Sequence, residues 1–226
     1  MLATPDLRHL TADDYDHIYE PAEDTFLFLD ALEEDMEAVL APRCPRICLE
    51  IGSGSGCVST FLAMHLKTPT LYLTTDINPR ACTATRRTAA QNRVVHRLEP
   101  VRTDLTAGLL PRLRGAIDVL LFNPPYVPTE VAEVVTADTA ATDPSDLLAA
   151  TWAGGQLGRV VTDRVLLQLP ELMAPNGVAY LVLLQENKPD EIATMMAKLG
   201  FDMTIVMRRR AGRERLMIAR FSRTIE

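Results

Sequence analysis

The stretch Glu50-Ile51-Gly52-Ser53-Gly54-Ser55-Gly56 ends a short apolar run, Arg46–Ile51, and precedes a segment of helical spacing, Val58–Lys67. Glycines at a strand-to-helix turn let the backbone approach a ligand closely, and the start of the helix offers free N–H groups. A dinucleotide-binding turn needs G-x-G-x-x-G. Counted from Gly52 the third glycine position holds Cys57, and counted from Gly54 it holds Ser59, so that pattern fails. An acidic residue two positions before three alternating glycines suits instead a cofactor without a pyrophosphate.

Outward from this turn, apolar runs alternate with amphipathic stretches from about residue 22 on, the pattern of an α/β sheet with crossover helices. Pro21–Leu40 reads as a helix, Thr70–Thr75 as a second strand, and Pro79–Arg93 as a helix opened by its proline. Leu98–Val101 is a weak third strand and Ile117–Phe122 a clear fourth. The composition of Thr129–Thr151, rich in Ala, Thr and Asp, favours a mobile loop over a lid. Gln156–Met173 returns to helical spacing, Val178–Leu184 reads as a buried strand, and Pro189–Leu199 as a helix ended by Gly200. Phe201–Arg208 and Arg215–Phe221 form a closing hairpin. No repeat or linker divides the 226 residues, which predicts one domain, with 1–42 as an N-terminal extension and helix and 43–226 as the core.

With 47% hydrophobic and 23% charged residues, the chain can bury a sizeable core, which excludes disorder as its main state. A net charge of −7 argues against a protein that holds nucleic acid mainly by charge. The acid is uneven: residues 1–40 hold twelve carboxylates and one arginine, which leaves +4 for the rest. This predicts a solvated acidic helix and a basic hairpin carrying Arg208, Arg209, Arg210, Arg213 and Arg215. Cys44, Cys48, Cys57 and Cys82 have no zinc-like spacing, so no metal site is expected and the thiols read as reduced packing residues of a cytoplasmic or nuclear protein. The N-terminus lacks a basic and apolar leader, and no apolar run is long enough to span a bilayer, so no membrane partner is expected.

In an open parallel sheet, ligands sit beyond the carboxyl ends of the strands. The first four predicted strands end at the glycine turn, Asp76, Asp104 and Asn123, so each delivers a polar residue or turn to one rim. Asp76 suits a ribose diol, and Asp104 could accept from an exocyclic amino group. In Asn123-Pro124-Pro125-Tyr126 the prolines fix φ and remove backbone donors, leaving nearby carbonyls as acceptors. The Asn side chain adds another acceptor and Tyr126 a flat face, a combination built to grip a planar NH₂ group. No histidine or carboxylate is evidently set to act as a general base.

On these residues the chain resembles the class I S-adenosylmethionine-dependent methyltransferases of the N-P-P-Y group, which methylate planar nitrogens. Tyr19-Glu20-Pro21-Ala22-Glu23-Asp24-Thr25 further resembles the segment before the core in the eukaryotic HemK-like glutamine methyltransferases, which modify the Gly-Gly-Gln glutamine of the translation termination factor. Asp104-Leu105, Trp152–Gly158 and the Arg208–Phe221 hairpin extend the likeness over most of residues 15–223. The resemblance implies a Rossmann-like class I methyltransferase fold, with a seven-stranded, mostly parallel sheet and a C-terminal antiparallel hairpin. It implies S-adenosyl-L-methionine held by Tyr19, Pro21, Thr25, Glu50, Gly52, Gly54, Gly56, Asp76, Asp104, Leu105 and Asn123. The substrate amide would be held by Asn123, Pro124, Pro125, Tyr126 and Val127, the first four being the catalytic set.

The same resemblance implies a heterodimer with a small zinc-binding activator that extends the sheet beside Leu98–Val101, which should then be an edge. The segment after Thr129 is longer than the family pattern. A histone lysine methyltransferase or an N6-adenine nucleic-acid methyltransferase could use the same N-P-P-Y site. The charge of −7 and the lack of a target-recognition domain weigh against stable nucleic-acid binding. The intact glycines, aspartates and N-P-P-Y oppose a non-catalytic scaffold. Gly154-Gly155-Gln156 repeats the tripeptide that the family methylates; it reads as a glycine turn opening the helix at Gln156.

Overall fold

In the computed structural model, which describes residues 1–129 and 151–224, the strand entering the glycine turn, β1 (Ile47–Ile51), lies inside a seven-stranded sheet. On one side it pairs in parallel with β2 (Leu71–Asp76), which pairs in parallel with β3 (Leu98–Arg102) at the edge. On the other side it pairs with β4 (Ile117–Phe122), followed by β5 (Met173–Leu184), both parallel. The last strand, β7 (Glu214–Arg223), inserts antiparallel between β5 and β6 (Phe201–Ala211), so the order is β3-β2-β1-β4-β5-β7-β6. The sheet therefore has the seven strands, mostly parallel pairing and antiparallel hairpin that the sequence led us to expect. Strand order reverses between β1 and β4, which opens a crevice at their carboxyl ends.

Both faces are covered, which explains why the central strands are almost wholly apolar rather than alternating. Cys48, Val119, Leu121, Tyr180 and Ile218 point to one layer, where they pack with Phe28 and Leu32 of α1 (Glu23–Asp35) and Phe61 of α2 (Cys57–His65). Their neighbours Leu49, Leu120, Leu181 and Met217 point to the other, against Val165 of α4 (Val160–Leu166) and Ile192 and Met196 of α5 (Pro189–Lys198). Between them in sequence, α3 (Pro79–Gln91) begins with proline at its first position and with the Asn78 side chain accepting from Arg80 N–H at 2.9 Å.

Several boundaries differ from the sequence expectation for local reasons. The helix expected over 21–40 starts at Glu23, widens into a π turn at Met36–Leu40 and stops where Cys44 turns left-handed. The helix expected over Gln156–Met173 is broken twice. Leu157 has φ +56° inside a 3₁₀ turn, Gln156–Gly158, and Pro170 opens a separate single turn, Leu169–Leu172. Met173 already belongs to β5, and both hairpin strands run longer than expected.

The acidic helix is not merely solvated. Arg209 of β6 meets Asp30 at 2.6 Å, and Arg220 meets the buried Asp35 at 2.7 Å beside the Tyr180 hydroxyl. The uneven charge thus ties α1 to the hairpin. All four cysteines are free, with Cys48 and Cys57 buried, Cys82 half-buried and Cys44 exposed. Among the described residues no helix is long and apolar enough to cross a membrane, and no group of side chains could hold a metal. The expected mobile segment Thr129–Thr151 lies outside the described residues, save for its two ends.

Candidate active site

The crevice at the carboxyl ends of β1, β2 and β4 holds a cavity of about 300 Å³. Its floor is the glycine turn, whose Gly52 and Ser53 N–H groups both donate to the Thr75 carbonyl of β2, at 2.8 and 3.1 Å. Gly52, Gly54 and Gly56 all have positive φ. At Gly56 (φ +76°) a Cβ would sit 2.7 Å from Thr85 Cα of α3, so only glycine brings the turn this close to the helix.

Asp76 ends β2 with both oxygens engaged: Gly54 N–H donates to Oδ2 at 3.0 Å and Asn78 N–H to Oδ1 at 2.9 Å. Burial nevertheless raises its pKa above the usual carboxylate value. Glu50, the last but one residue of β1, is buried and accepts Ser59 N–H at 3.0 Å; burial pushes its carboxyl up to about 8. Asp104, the expected acceptor for an exocyclic amino group, also takes an ion pair on Oδ2 from Arg164 of α4 at 2.5 Å. Beside it Leu105 holds a left-handed φ of +48°, a conformation that a branched side chain rarely adopts.

Asn123 leaves β4 and lines the cavity, together with Pro125, Tyr126 and Val127. Its Nδ2 donates to Asp24 Oδ2 at 2.9 Å, while its Oδ1 is buried without any partner. The Tyr126 hydroxyl also donates to Asp24 Oδ2, at 3.0 Å, and the Tyr19 hydroxyl to Asp24 Oδ1 at 3.0 Å. Burial, reinforced by the Asp24 carboxylate, holds both phenols above their ordinary pKa, so they remain donors.

Of the residues named from sequence, Tyr19, Thr25, Glu50, Gly52, Gly54, Asp76, Asp104, Leu105, Asn123, Pro125, Tyr126 and Val127 line the cavity. Pro21, Gly56 and Pro124 do not; Gly56 acts from behind, through its packing on α3. The lining also includes Asp24 and Trp152, which the sequence placed in family-like segments without a role, and Arg164 and Glu214, which it did not single out as site residues. Asp24 and Glu214 add two carboxyl groups to the three expected there, Glu50, Asp76 and Asp104. The Glu214 pKa is raised by burial and by the neighbouring Asp24 and Glu186. Asp24 was visible as the residue before Thr25, but an acidic residue in a first helical turn has an ordinary explanation in the helix dipole. Nothing local marks Arg164 or Glu214.

The profile of the methyltransferase small domain family matches residues 25–188, most of the chain and all four strand ends just described. The chain belongs to that family. It is 46% identical over 221 residues to the mouse (Mus musculus) methyltransferase HEMK2, covering 98% of this chain and 97% of that one. It is 39% identical over 232 residues to the eRF1 methyltransferase catalytic subunit mtq2 of Schizosaccharomyces pombe, covering 99% and 96%. Among solved structures, Mtq2 from E. cuniculi, determined in complex with Trm112, superposes with a TM-score of 0.65 at 26% identity, over 92% of this chain and 99% of that one. The HemK-like resemblance drawn from the sequence is thereby shown, and the chain is a methyltransferase with the class I fold.

In this methyltransferase the Gly-Gly-Gln tripeptide is a brace. Val127 N–H donates to the Trp152 carbonyl at 3.1 Å, and Gly154 N–H returns to the Val127 carbonyl at 2.8 Å. Gly155 forms the expected turn (φ +70°), though it opens the 3₁₀ turn and not a helix. Buried Asn187 donates from Nδ2 to the carbonyls of Tyr126 at 2.9 Å and Leu157 at 2.8 Å. The N-P-P-Y loop is thus held by Asp24 on one side and by Asn187 and the glycines on the other.

Proposed function

We propose that this methyltransferase transfers a methyl group from S-adenosyl-L-methionine to the side-chain amide nitrogen of the glutamine in the Gly-Gly-Gln motif of the translation termination factor. The observation that carries this reading is the buried, unpartnered Asn123 Oδ1 in the wall of the cavity. The names of relatives covering nearly the whole chain, an eRF1 methyltransferase among them, support it.

The cavity's chemistry fits the cofactor. Its wall carries five acidic side chains, Asp24, Glu50, Asp76, Asp104 and Glu214, of which Glu50 keeps its proton at neutral pH in the cofactor-free protein, against one cation, Arg164. Such a wall attracts a ligand bearing sulfonium and ammonium charges and repels a pyrophosphate. Asp76, fixed by two backbone donors, keeps lone pairs for a ribose diol. Tyr19, Thr25, Glu50, Gly52 and Gly54 stand around the polar end, and Leu105 and Phe122 offer apolar walls. When bound, the sulfonium supplies an electrophilic methyl carbon.

An amide nitrogen is a weak nucleophile because its lone pair is delocalised into the carbonyl. Asn123 Oδ1, in the cavity wall, accepts from its N–H, favouring the positive charge that builds on nitrogen during transfer. Fixing the nitrogen in line contributes on the order of 7–11 kcal/mol. Tyr126 and Val127 border the amide, and the proton leaves to water.

Residues 1–42 complete this pocket, and the chain acts as one domain in a cytoplasmic or nuclear setting. A small zinc-binding activator would pair with β3, whose edge position leaves backbone groups open, close to the exposed apolar side chains of Leu71 and Val95. Co-expression with the activator should then raise soluble yield; full activity of the isolated chain would refute the need for it. To test the substrate, labelled methyl donor is offered with a Gly-Gly-Gln protein fragment, a histone tail and duplex DNA. Label on the glutamine amide is expected, and label confined to histone lysine or adenine would overturn the reading.

A further inference from the structure

Asp24 sits in the first turn of α1, is 3% exposed, and lies one residue before the segment shared with the family. Five donors converge on it, the longest being the Thr25 hydroxyl to Oδ1 at 3.4 Å. Asn123 Nδ2 (2.9 Å) and the Tyr126 hydroxyl (3.0 Å) reach Oδ2; the Tyr19 hydroxyl (3.0 Å) and Thr25 N–H (2.7 Å) reach Oδ1. With its roughly four lone-pair sites filled, the carboxylate has no acceptor position left for a substrate. Its action passes through the side chains it holds.

The decisive one is Asn123, 99 residues away in sequence. A carboxamide has a donor end and an acceptor end of nearly equal size, so only its hydrogen bonds decide which way it faces. A carboxylate can only accept. Facing one, Asn123 must turn its NH₂ inward, which leaves Oδ1 as the free end, and that oxygen is the atom without a partner. The reverse orientation would set oxygen against oxygen inside and present an NH₂ to the incoming NH₂.

We infer that Asp24 is a positioning residue: it locks the Asn123 carboxamide in the one orientation that offers an acceptor to the substrate nitrogen, and this rests on reading Asn123 as that acceptor. An acceptor-only group beneath guarantees an acceptor above. A carboxamide at position 24 would satisfy either orientation and remove the lock.

The test uses the full chain co-expressed with its activator. Asp24→Asn keeps shape and removes the sign. We expect S-adenosyl-L-methionine affinity to change by less than about threefold, and kcat for a Gly-Gly-Gln fragment to fall by on the order of 100-fold. The exchange variant Asp24→Asn/Asn123→Asp reverses donor and acceptor while again leaving an oxygen as the free end. It should recover at least about tenfold over either single variant, whereas purely structural damage would make the pair worse than either. In parallel, nitrogen-edited NMR follows the Asn123 side-chain NH₂, which should exchange slowly in the wild type and rapidly in Asp24→Asn. A kcat within about threefold of wild type, no recovery in the exchange, or an unchanged NH₂ signal would overturn the inference. Should the wild type methylate no Gly-Gly-Gln fragment, the substrate reading fails by itself and the NMR comparison alone decides the role of Asp24.

Discussion

Gly158 packs directly under the backbone of Tyr126: any Cβ on Gly158 would run into the Tyr126 carbonyl oxygen and approach Asn187 Nδ2 to 2.6 Å. Gly158 also has φ +66°. The brace behind the N-P-P-Y loop is therefore closed to every residue but glycine. Gly158→Ala should cost roughly 1–2 kcal/mol for the left-handed backbone and about 1–3 more for the overlap. Gly212, at φ +58° with nothing within 4 Å, isolates the backbone part. Urea unfolding of both alanine variants measures the difference, and equal losses would show that the loop yields easily.

Asn187 holds the same loop through side-chain bonds. Asn187→Ala leaves the buried carbonyl of Tyr126, the buried N–H of Leu184 and the half-buried carbonyl of Leu157 without their partner. At roughly 1–3 kcal/mol for each group left unpaired, the total should reach about 3 kcal/mol or more. The midpoint of denaturant unfolding reads it directly. Methyl transfer should drop with it, because the loop loses its back support.

Asn123 and Asp76 should separate binding from chemistry. Asn123→Ala is expected to lower kcat by on the order of 100-fold or more, with a modest loss of cofactor affinity. Asp76→Ala should weaken cofactor binding first, by roughly 10–100-fold, as loss of a charged hydrogen-bonding partner does. Calorimetry beside single-turnover rates distinguishes them. Equal loss of both quantities in Asn123→Ala would make Asn123 chiefly a cofactor ligand.

Much of this was legible before the structure. Four strand ends converge because parallel strands deliver their carboxyl ends to one rim, a consequence of topology that alternating apolar runs already imply. Thr25, Glu50, Asp76, Leu105 and Asn123 follow from that rim and from the family resemblance. What stayed hidden depends on distance along the chain. Arg164 reaches Asp104 across 60 residues and Glu214 comes from a hairpin tip, and neither carries a local signal. Asp24 was legible as part of a family-like segment, but its role was not, since its bond to Asn123 spans 99 residues. The helix over 156–173 was misread because periodicity does not register a left-handed Leu157.

Glu50 gives the cofactor-free protein a pH dependence. Its carboxyl stands at about 8 in the folded chain and near 4.3 in the unfolded one. Between these values the folded state keeps a proton that the unfolded state releases. Stability is therefore greatest below about pH 4.3 on this account, falls as pH rises, and has lost the whole contribution above about pH 8. Glu50→Gln removes the dependence. Its melting temperature should exceed that of the wild type at about pH 8.5 and approach it at about pH 5. A gap that stays constant with pH would place the destabilisation elsewhere.

Tyr19, Asp24 and Glu214 all fall outside residues 25–188, the part of the chain that the family holds in common. Those three bring hydroxyl and carboxyl groups to the same cavity as the N-P-P-Y loop, yet none is borne by β1, β2 or β4, whose carboxyl ends form the crevice. A lineage that altered its two flanks would therefore reshape the wall beside the N-P-P-Y loop while keeping the four strand ends. Grafting both flanks onto a relative's centre would be the engineer's version of the same step.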